Sequence, residues 1–361
     1  MPIPLPNPLA EAREALQQRV LRAVADRSPL RLVGGGTQAG LVRASAGEPL
    51  ALSVLNGLIA YEPSELVITA GAGTPLSVLS ATLADQGQML PFEPALAGGQ
   101  ATLGGAVAAQ RGGPRRWLAG SVRDFLLGVR LIDGLGQEVG FGGQVIKNVA
   151  GFDITRLQAG AWGSLGLITE VSVKVLPRPQ AECTLQFAMA QAEALQQVNA
   201  WAGQPLPLSA VSWDQGILRL RLSGVPAALA SACATLGGQA LENDAAEAHW
   251  TSLRERTHPF FEQGGTLWRL AVKPTSPVLD LPGAVLWEWG GGQRWLRTEA
   301  PAELVRRSAE RAGGHAMLWR GGESGVPVFH PPAAALAALQ RRIKHALDPH
   351  GIFNPGTPDF L

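Results

Sequence analysis

Apolar residues at Leu9, Ala12, Leu16, Val20 and Val24 fall three or four apart, the spacing of one helical face, and predict a helix over 8–26. A short apolar run over 30–33 follows and leads directly into Gly34, Gly35 and Gly36, so a strand there ends on a glycine loop. The pattern recurs further on, where a strand over 66–70 meets Gly71 and Gly73. Thr74 is then expected to cap, and Pro75 to open, a helix carrying Leu76, Leu79 and Leu83. Residues 98–113 hold six glycines among small apolar side chains and read as a loop whose backbone can approach another group closely. An apolar run over 125–132, the turn dipeptide Asp133-Gly134 and a second run through Val139 and Phe141 predict a hairpin. Ile168, Val171, Val173 and Val175 alternate nearly regularly with polar residues, predicting a strand over 165–176 that Pro177-Arg178-Pro179 ends.

The second half changes rhythm. A helix over 190–202 precedes two strands, 208–213 and 217–222, joined through Asp214-Gln215-Gly216. Helices over 226–236 and 245–256 lead to strands at 267–272, 284–289 and 294–298, and a helix over 332–347 closes the pattern with Leu336, Leu339, Ile343 and Leu347 on one side. An antiparallel sheet with helices on one face accounts for this order. The expected class is α+β in two domains, 1–179 and 180–331, with 332–361 returning to the first.

Composition narrows the function. With 16% charged residues and a net charge of +1, the chain has neither the bias of a disordered segment nor that of a nucleic-acid coat. The 44 glycines and 27 prolines make up about a fifth of the residues, against roughly 12% in ordinary chains, and imply many tight backbone turns. Cys183 and Cys233 lie far apart in sequence, so a cysteine-ligated zinc site or iron–sulfur cluster is not expected within this chain; any such cluster belongs on a partner. The opening residues lack a signal-peptide pattern and no apolar run is long enough to span a bilayer, so a cytoplasmic chain is expected, held at a membrane only through partner subunits.

Gly34, Gly35, Gly36, Thr37, Gln38 and Ala39 satisfy the letter of a dinucleotide fingerprint after a strand. The long helix and the acidic residue about 20 positions later that a Rossmann unit needs are missing. Consecutive amides in such a loop still form a concavity for an anion such as a pyrophosphate, and a plain tight turn between strands fits equally well. Two further clusters, Thr102 to Ala106 and Gly160 to Thr169, carry no charged side chain at their tips until Thr169 is passed. Three such loops suit an extended ligand lying along exposed backbone, or close packing of backbone on backbone. Arg111, Arg115, Arg116, Arg123 and Arg130 crowd one stretch, with a solvated face expected for most of them and a diphosphate or acidic partner for one or two. The ten tryptophans, mostly late in the chain, read as core or subunit interface.

Arg31 to Thr37, Tyr61-Glu62-Pro63 and Val67 to Thr74, taken with Gln88 to Pro94, Ala101 to Ala109, Gly120 to Asp124, Lys147 to Asp153 and the ending Asp348 to Gly356, resemble the vanillyl-alcohol-oxidase-type flavoproteins, and among them the FAD-binding subunits of glycolate oxidase. The resemblance implies a PCMH-type FAD-binding domain followed by an antiparallel-sheet α+β cap domain. It also implies FAD held by residues 34–39 at the pyrophosphate, by Thr102, Gly104 and Gly105 along the ribityl chain and flavin, and by Ala109 and Gly112 nearby. Gly163, Gly166 and Ile168 would pass backbone along the cofactor, and Asp124 would orient a neighbouring loop or bond to FAD. Because the first histidine is His249, no covalent attachment near the first loop is expected, so the FAD would be non-covalent. A larger catalytic FAD subunit and an iron–sulfur subunit are the implied partners, with a small 2-hydroxy acid as substrate.

One departure bears on mechanism. Related 2-hydroxy-acid dehydrogenases carry a histidine-rich segment where this chain has Gly313 to Arg320, with one histidine and no acid directly after it. Oxidation of a hydroxy acid needs a base at the hydroxyl and a cation for the carboxylate. His315 and Arg320 are the candidates, set against a strand histidine packed beside a tryptophan. The expected role is therefore a flavin subunit supporting a catalytic sister; a self-sufficient D-2-hydroxy-acid dehydrogenase and a cofactor-free structural subunit are the alternatives.

Overall fold

A computed structural model describes residues 9–42, 46–143, 153–323, 325–359 and 361. The chain divides into two compact units, one comprising Met1–Arg111, Ser121–Pro177 and Pro331–Leu361, the other Gly112–Gly120 and Arg178–His330. Residues 112–120 therefore belong with the second unit, interrupting the continuous 1–179 domain expected from sequence.

In the first unit the helix Ala10–Asp26 buries Leu16, Val20 and Ala23, the face that its spacing defines. The strand Leu30–Val33 pairs in parallel with Glu48–Ala51, and Leu30 also bridges to Phe353 near the C-terminus. A five-stranded antiparallel sheet stands beside this pair in the order Leu58–Glu62, Val67–Gly71, Leu167–Lys174, Leu126–Ile132, Glu138–Gly142. Its buried valines and isoleucines join Leu76, Leu79, Leu83, Leu103 and Phe92 in one core. Burying each such side chain stabilises the fold by about 1.5–3 kcal/mol.

Two local expectations are corrected here. The side chain of Thr74 does not cap the helix Leu76–Ala84; its hydroxyl accepts from Gly57 N–H at 3.0 Å and donates to Gly57 C=O, and Pro75 occupies the cap position. Within the glycine-rich stretch, 103–108 is a short helix, Leu103–Ala108, rather than loop, with the Thr102 hydroxyl accepting from Gly105 N–H at 3.3 Å. The capping hydrogen bond and burial of Leu103, Ala106 and Val107 override the low helix propensity of its two glycines.

The second unit is built on an eight-stranded sheet in which every neighbouring pair is antiparallel. Three strands in it escape the sequence pattern, Ala181–Ala188, the two-residue Gln239–Ala240 and, as a full strand, His315–Arg320. The helices cover both faces, not one. Those at Gln191–Ala202 and Pro226–Leu236 pack on the side of Leu185, Leu220 and Val211. Trp250 and Leu253, from the helix Asn243–Glu255, pack with Phe260 and Phe261 on the opposite side, against Ala210, Leu286 and Trp295. Trp268, Trp287 and Trp295 are fully buried core residues.

Candidate functional site

The first glycine loop leaves the strand Leu30–Val33 with its back against residues 100–102. A Cβ on Gly35 would stand 1.7 Å from the Gln100 carbonyl oxygen, and one on Gly34 would stand 2.7 Å from Thr102 Oγ1. Gly36 behaves differently, since it has φ +70° and open space where a side chain would project. Among the described residues, none of the N–H groups from Gly34 to Gln38 donates to a protein acceptor; pairing resumes with Ala39 N–H to Gly36 C=O. Five successive amides thus sit at a partly exposed turn with their donors unused. Such a run of open donors can accept an anion, and its residues fit a diphosphate bridge.

The second cluster uses its backbone otherwise. Gly104 N–H donates to Ala72 C=O at 2.8 Å, and a Cβ there would stand 2.7 Å from the Ala72 Cβ, so this glycine lets the short helix lie on the strand's end. Gly105 N–H is taken by Thr102. Gly166, at φ +146°, packs against Leu131 and Ile132, and the Ile168 side chain is in the core. Gly163 has φ +70°, and a Cβ on it would stand 2.7 Å from Asn354 Nδ2. Gly104 and Gly105 thus spend their amides within the protein, whereas residues 34–38 present open donors. Ala109 is buried at the end of the short helix, and Gly112 is buried within the second unit. Asp124 accepts from both the N–H and the hydroxyl of Ser121, at 2.7 and 2.8 Å, which fixes its own turn. Lys147 and its neighbours to Phe152 lie outside the described residues; Asp153 caps Ile154–Leu157 by accepting from Arg156 N–H.

Two residues matter more than the sequence reading suggested. Asn354, 4% exposed, accepts from Leu32 N–H at 2.7 Å, donates through Nδ2 to Trp162 C=O at 2.7 Å, and donates its own N–H to Leu30 C=O. One carboxamide from the chain's end thereby ties the strand that launches the first loop to the turn before Gly163. Arg111, one of five clustered arginines, is the one brought to the first loop: its Nη2 donates to Gln38 Oε1 at 2.7 Å and its guanidinium lies 5.4 Å from the Trp162 ring centre. Arg115 instead pairs with Glu182, and Arg116 lies over Trp289, both within the second unit. Motif matching picked out the Asn354 segment, but nothing in local pattern shows that a residue over 300 positions away will bond to Leu32.

Below the third cluster, Lys344 Nζ donates to Ser164 C=O, Phe353 C=O and the buried Asp348 carboxylate at 2.7, 2.9 and 2.6 Å. Burial lowers the Lys344 pKa, and Asp348 partly restores it.

His315 and Arg320 do not converge. They face Ala271 and Leu267 of the strand Leu267–Ala271, four register steps apart, which at about 3.3 Å per residue separates them by about 13 Å. Arg320 donates to the carbonyls of Phe261 and Gln263, a structural engagement. The ring neighbour of His315 among the described residues is His330, with centres 6.3 Å apart, rather than a tryptophan. Partial burial, then Arg269 and His330, push the His315 pKa down to about 4.

Comparison with known proteins decides the family. Residues 9–142 match the family model described as an FAD binding domain. Over 343 residues the chain is 43% identical to the glycolate oxidase subunit GlcE of Escherichia coli, covering 95% of this chain and 96% of that protein. The chain belongs to the GlcE family of glycolate oxidase subunits. It is accordingly an FAD-binding oxidoreductase subunit. More distantly, it is 28% identical to the D-2-hydroxyglutarate dehydrogenase of Xanthomonas citri pv. viticola over 54% of this chain and 42% of that protein. It is 30% identical to the glycolate oxidase subunit GlcD of Bacillus subtilis over 44% of this chain and 34% of that one. A solved alkyldihydroxyacetonephosphate synthase shares the fold, with a TM-score of 0.67 and 16% identity, covering 95% of this chain and 75% of that one. Among the described residues no helix is long and apolar enough to cross a membrane.

Proposed function

We propose that this chain holds non-covalent FAD in a glycolate oxidase complex that converts glycolate to glyoxylate. Its task is to support electron transfer for a larger catalytic flavin subunit and an iron–sulfur subunit. The observation that carries the cofactor-holding role is the row of unused amides from Gly34 to Gln38 beside the open face of Gly36. FAD, when bound, supplies a two-electron redox centre. The amides of 34–38 would bind the diphosphate, Arg111 would hold Gln38 in place, and Asn354 would keep the first and third loops in register. Glycine at 34 and 35 lets this turn sit on residues 100–102. No histidine precedes His249, which supports non-covalent binding.

The supporting rather than substrate-oxidising role rests on the separation of His315 from Arg320 and on the engagement of that arginine by backbone carbonyls. A base and a carboxylate anchor must both reach one small molecule. The kinship with GlcE and GlcD supports the reading that partner subunits complete the complex.

The test is a visible spectrum of the isolated chain, followed by anaerobic addition of glycolate. Flavin absorbance that persists after glycolate is the expected result. Bleaching would show a self-sufficient dehydrogenase, and a colourless protein that takes up no added FAD would show a scaffold.

A further inference from the structure

Cys183 and Cys233 are both half-buried, and neither takes part in the FAD-binding arrangement. Cys183 lies on the strand Ala181–Ala188, opposite Leu222, and Cys233 lies on the helix Pro226–Leu236 that packs over that strand. Both side chains border the same apolar cluster, with Leu185, Leu220, Leu229 and Ala232. Their sulfurs are 3.1 Å apart although the residues are 50 positions apart in sequence. The chain just beyond the helix also runs close to the same strand, since a Cβ on Gly238 would stand 2.5 Å from the Phe187 ring. Strand and helix therefore hold the two sulfurs together in the reduced protein, about 1 Å from the covalent distance of roughly 2.04 Å.

We propose that Cys183 and Cys233 form a reversible intramolecular disulfide, making the second unit a site of oxidative modification by low-molecular-weight disulfides. A sulfur attached to either cysteine faces a second sulfur already in place, so a mixed disulfide resolves within the protein and does not accumulate. Burial, and next the hydrogen bond with Cys233, push the Cys183 thiol up to about 12. With Cys233 as the attacking sulfur, the exchange takes two steps. Its thiolate attacks one sulfur of the oxidant disulfide, breaking that S–S bond and releasing one thiolate. Cys183, on losing its proton, attacks the Cys233 sulfur and displaces the second thiolate. The two cysteines lose two electrons and two protons, and the oxidant takes up both as two thiols. The bond would tie the helix Pro226–Leu236 to its strand across a segment containing the hairpin of strands Leu208–Asp214 and Ile217–Gly224.

The experiment treats the full-length reduced protein with glutathione disulfide under native conditions and follows intact mass, free-thiol titration and a non-reducing peptide map. The expected product is lighter by two hydrogens, has lost both thiols, carries no glutathione, yields one peptide joining Cys183 to Cys233, and returns to the starting mass with dithiothreitol. In Cys183→Ser the reaction is expected to stop at a single glutathione adduct on Cys233. Persistent glutathione adducts on the wild-type protein, cross-linked dimers in place of the internal bond, or two thiols surviving prolonged exposure would each overturn the proposal.

Discussion

Gly35 offers the sharpest perturbation of the cofactor loop. In Gly35→Ala the new methyl would lie 1.7 Å from the Gln100 carbonyl oxygen, a backbone atom that no rotamer change can move aside. Carbon and oxygen need well over 3 Å, so the first loop must lift off residues 100–102 by more than 1 Å, at an overpacking cost of about 1–3 kcal/mol. The amides of 34–38 move with it. A hydrogen bond to a charged group contributes about 1.5–3 kcal/mol, so misdirecting two of the five donors weakens FAD binding by at least about 100-fold. Gly264→Ala, in the second unit, is the control, because a methyl there meets nothing in the protein and its backbone needs no positive φ. The assay is titration of apo-protein with FAD, read by flavin fluorescence, with far-UV circular dichroism to establish that both variants are folded. The reasoning fails if folded Gly35→Ala binds FAD within twofold of wild type, or if Gly264→Ala weakens binding as much.

Two further outcomes follow from the structure. Asn354→Ala removes the acceptor of the Leu32 N–H and a donor to the Trp162 carbonyl. At about 1–3 kcal/mol for each unsatisfied group, a clear fall in thermal midpoint and weaker FAD binding are expected together; an unchanged melting curve would remove Asn354 from the role assigned to it. On acidification, His249 resists protonation in the fold, its pKa pushed down to about 3 by burial first and by Arg219 and His258 next. The unfolded chain takes up that proton below its ordinary pKa of about 6.5, so this contribution is complete above that pH and is lost by up to about 1.4 kcal/mol per unit as pH falls toward 3. Denaturant unfolding at pH 7.5 and 5.5 should show a smaller loss in His249→Gln than in wild type, and equal losses would contradict the assignment.

Much of this molecule is legible along the chain because the information is local. The helix Ala10–Asp26, the hairpin of strands Leu126–Ile132 and Glu138–Gly142, and the strand Leu167–Lys174 follow from apolar periodicity and turn dipeptides, which act over a few residues. The glycine loop at 34–39 was recognisable for the same reason: consecutive glycines after a strand mark a turn whose backbone carries no side-chain cover. Other features depend on what lies across the fold. The helix Leu103–Ala108 forms against its glycines because tertiary burial outweighs propensity. The antiparallel sheet takes helices on both faces because its second face also carries apolar residues, a parity set by strand register.

What only the tertiary structure decided are the long-range meetings. These are Asn354 with Leu32 and Trp162, Arg111 with Gln38, Lys344 with Ser164, and the two cysteine sulfurs; it also decided the separation of His315 from Arg320. The chain by itself determined segments such as the helix Ala10–Asp26, the strand Leu167–Lys174 and the glycine turn at 34–39. Packing determined which of those turns keep their amides free, since a donor at Gly104 finds Ala72 close by while those at 34–38 find no protein acceptor. That choice is a matter of distance between residues far apart in sequence, and periodicity carries no record of it.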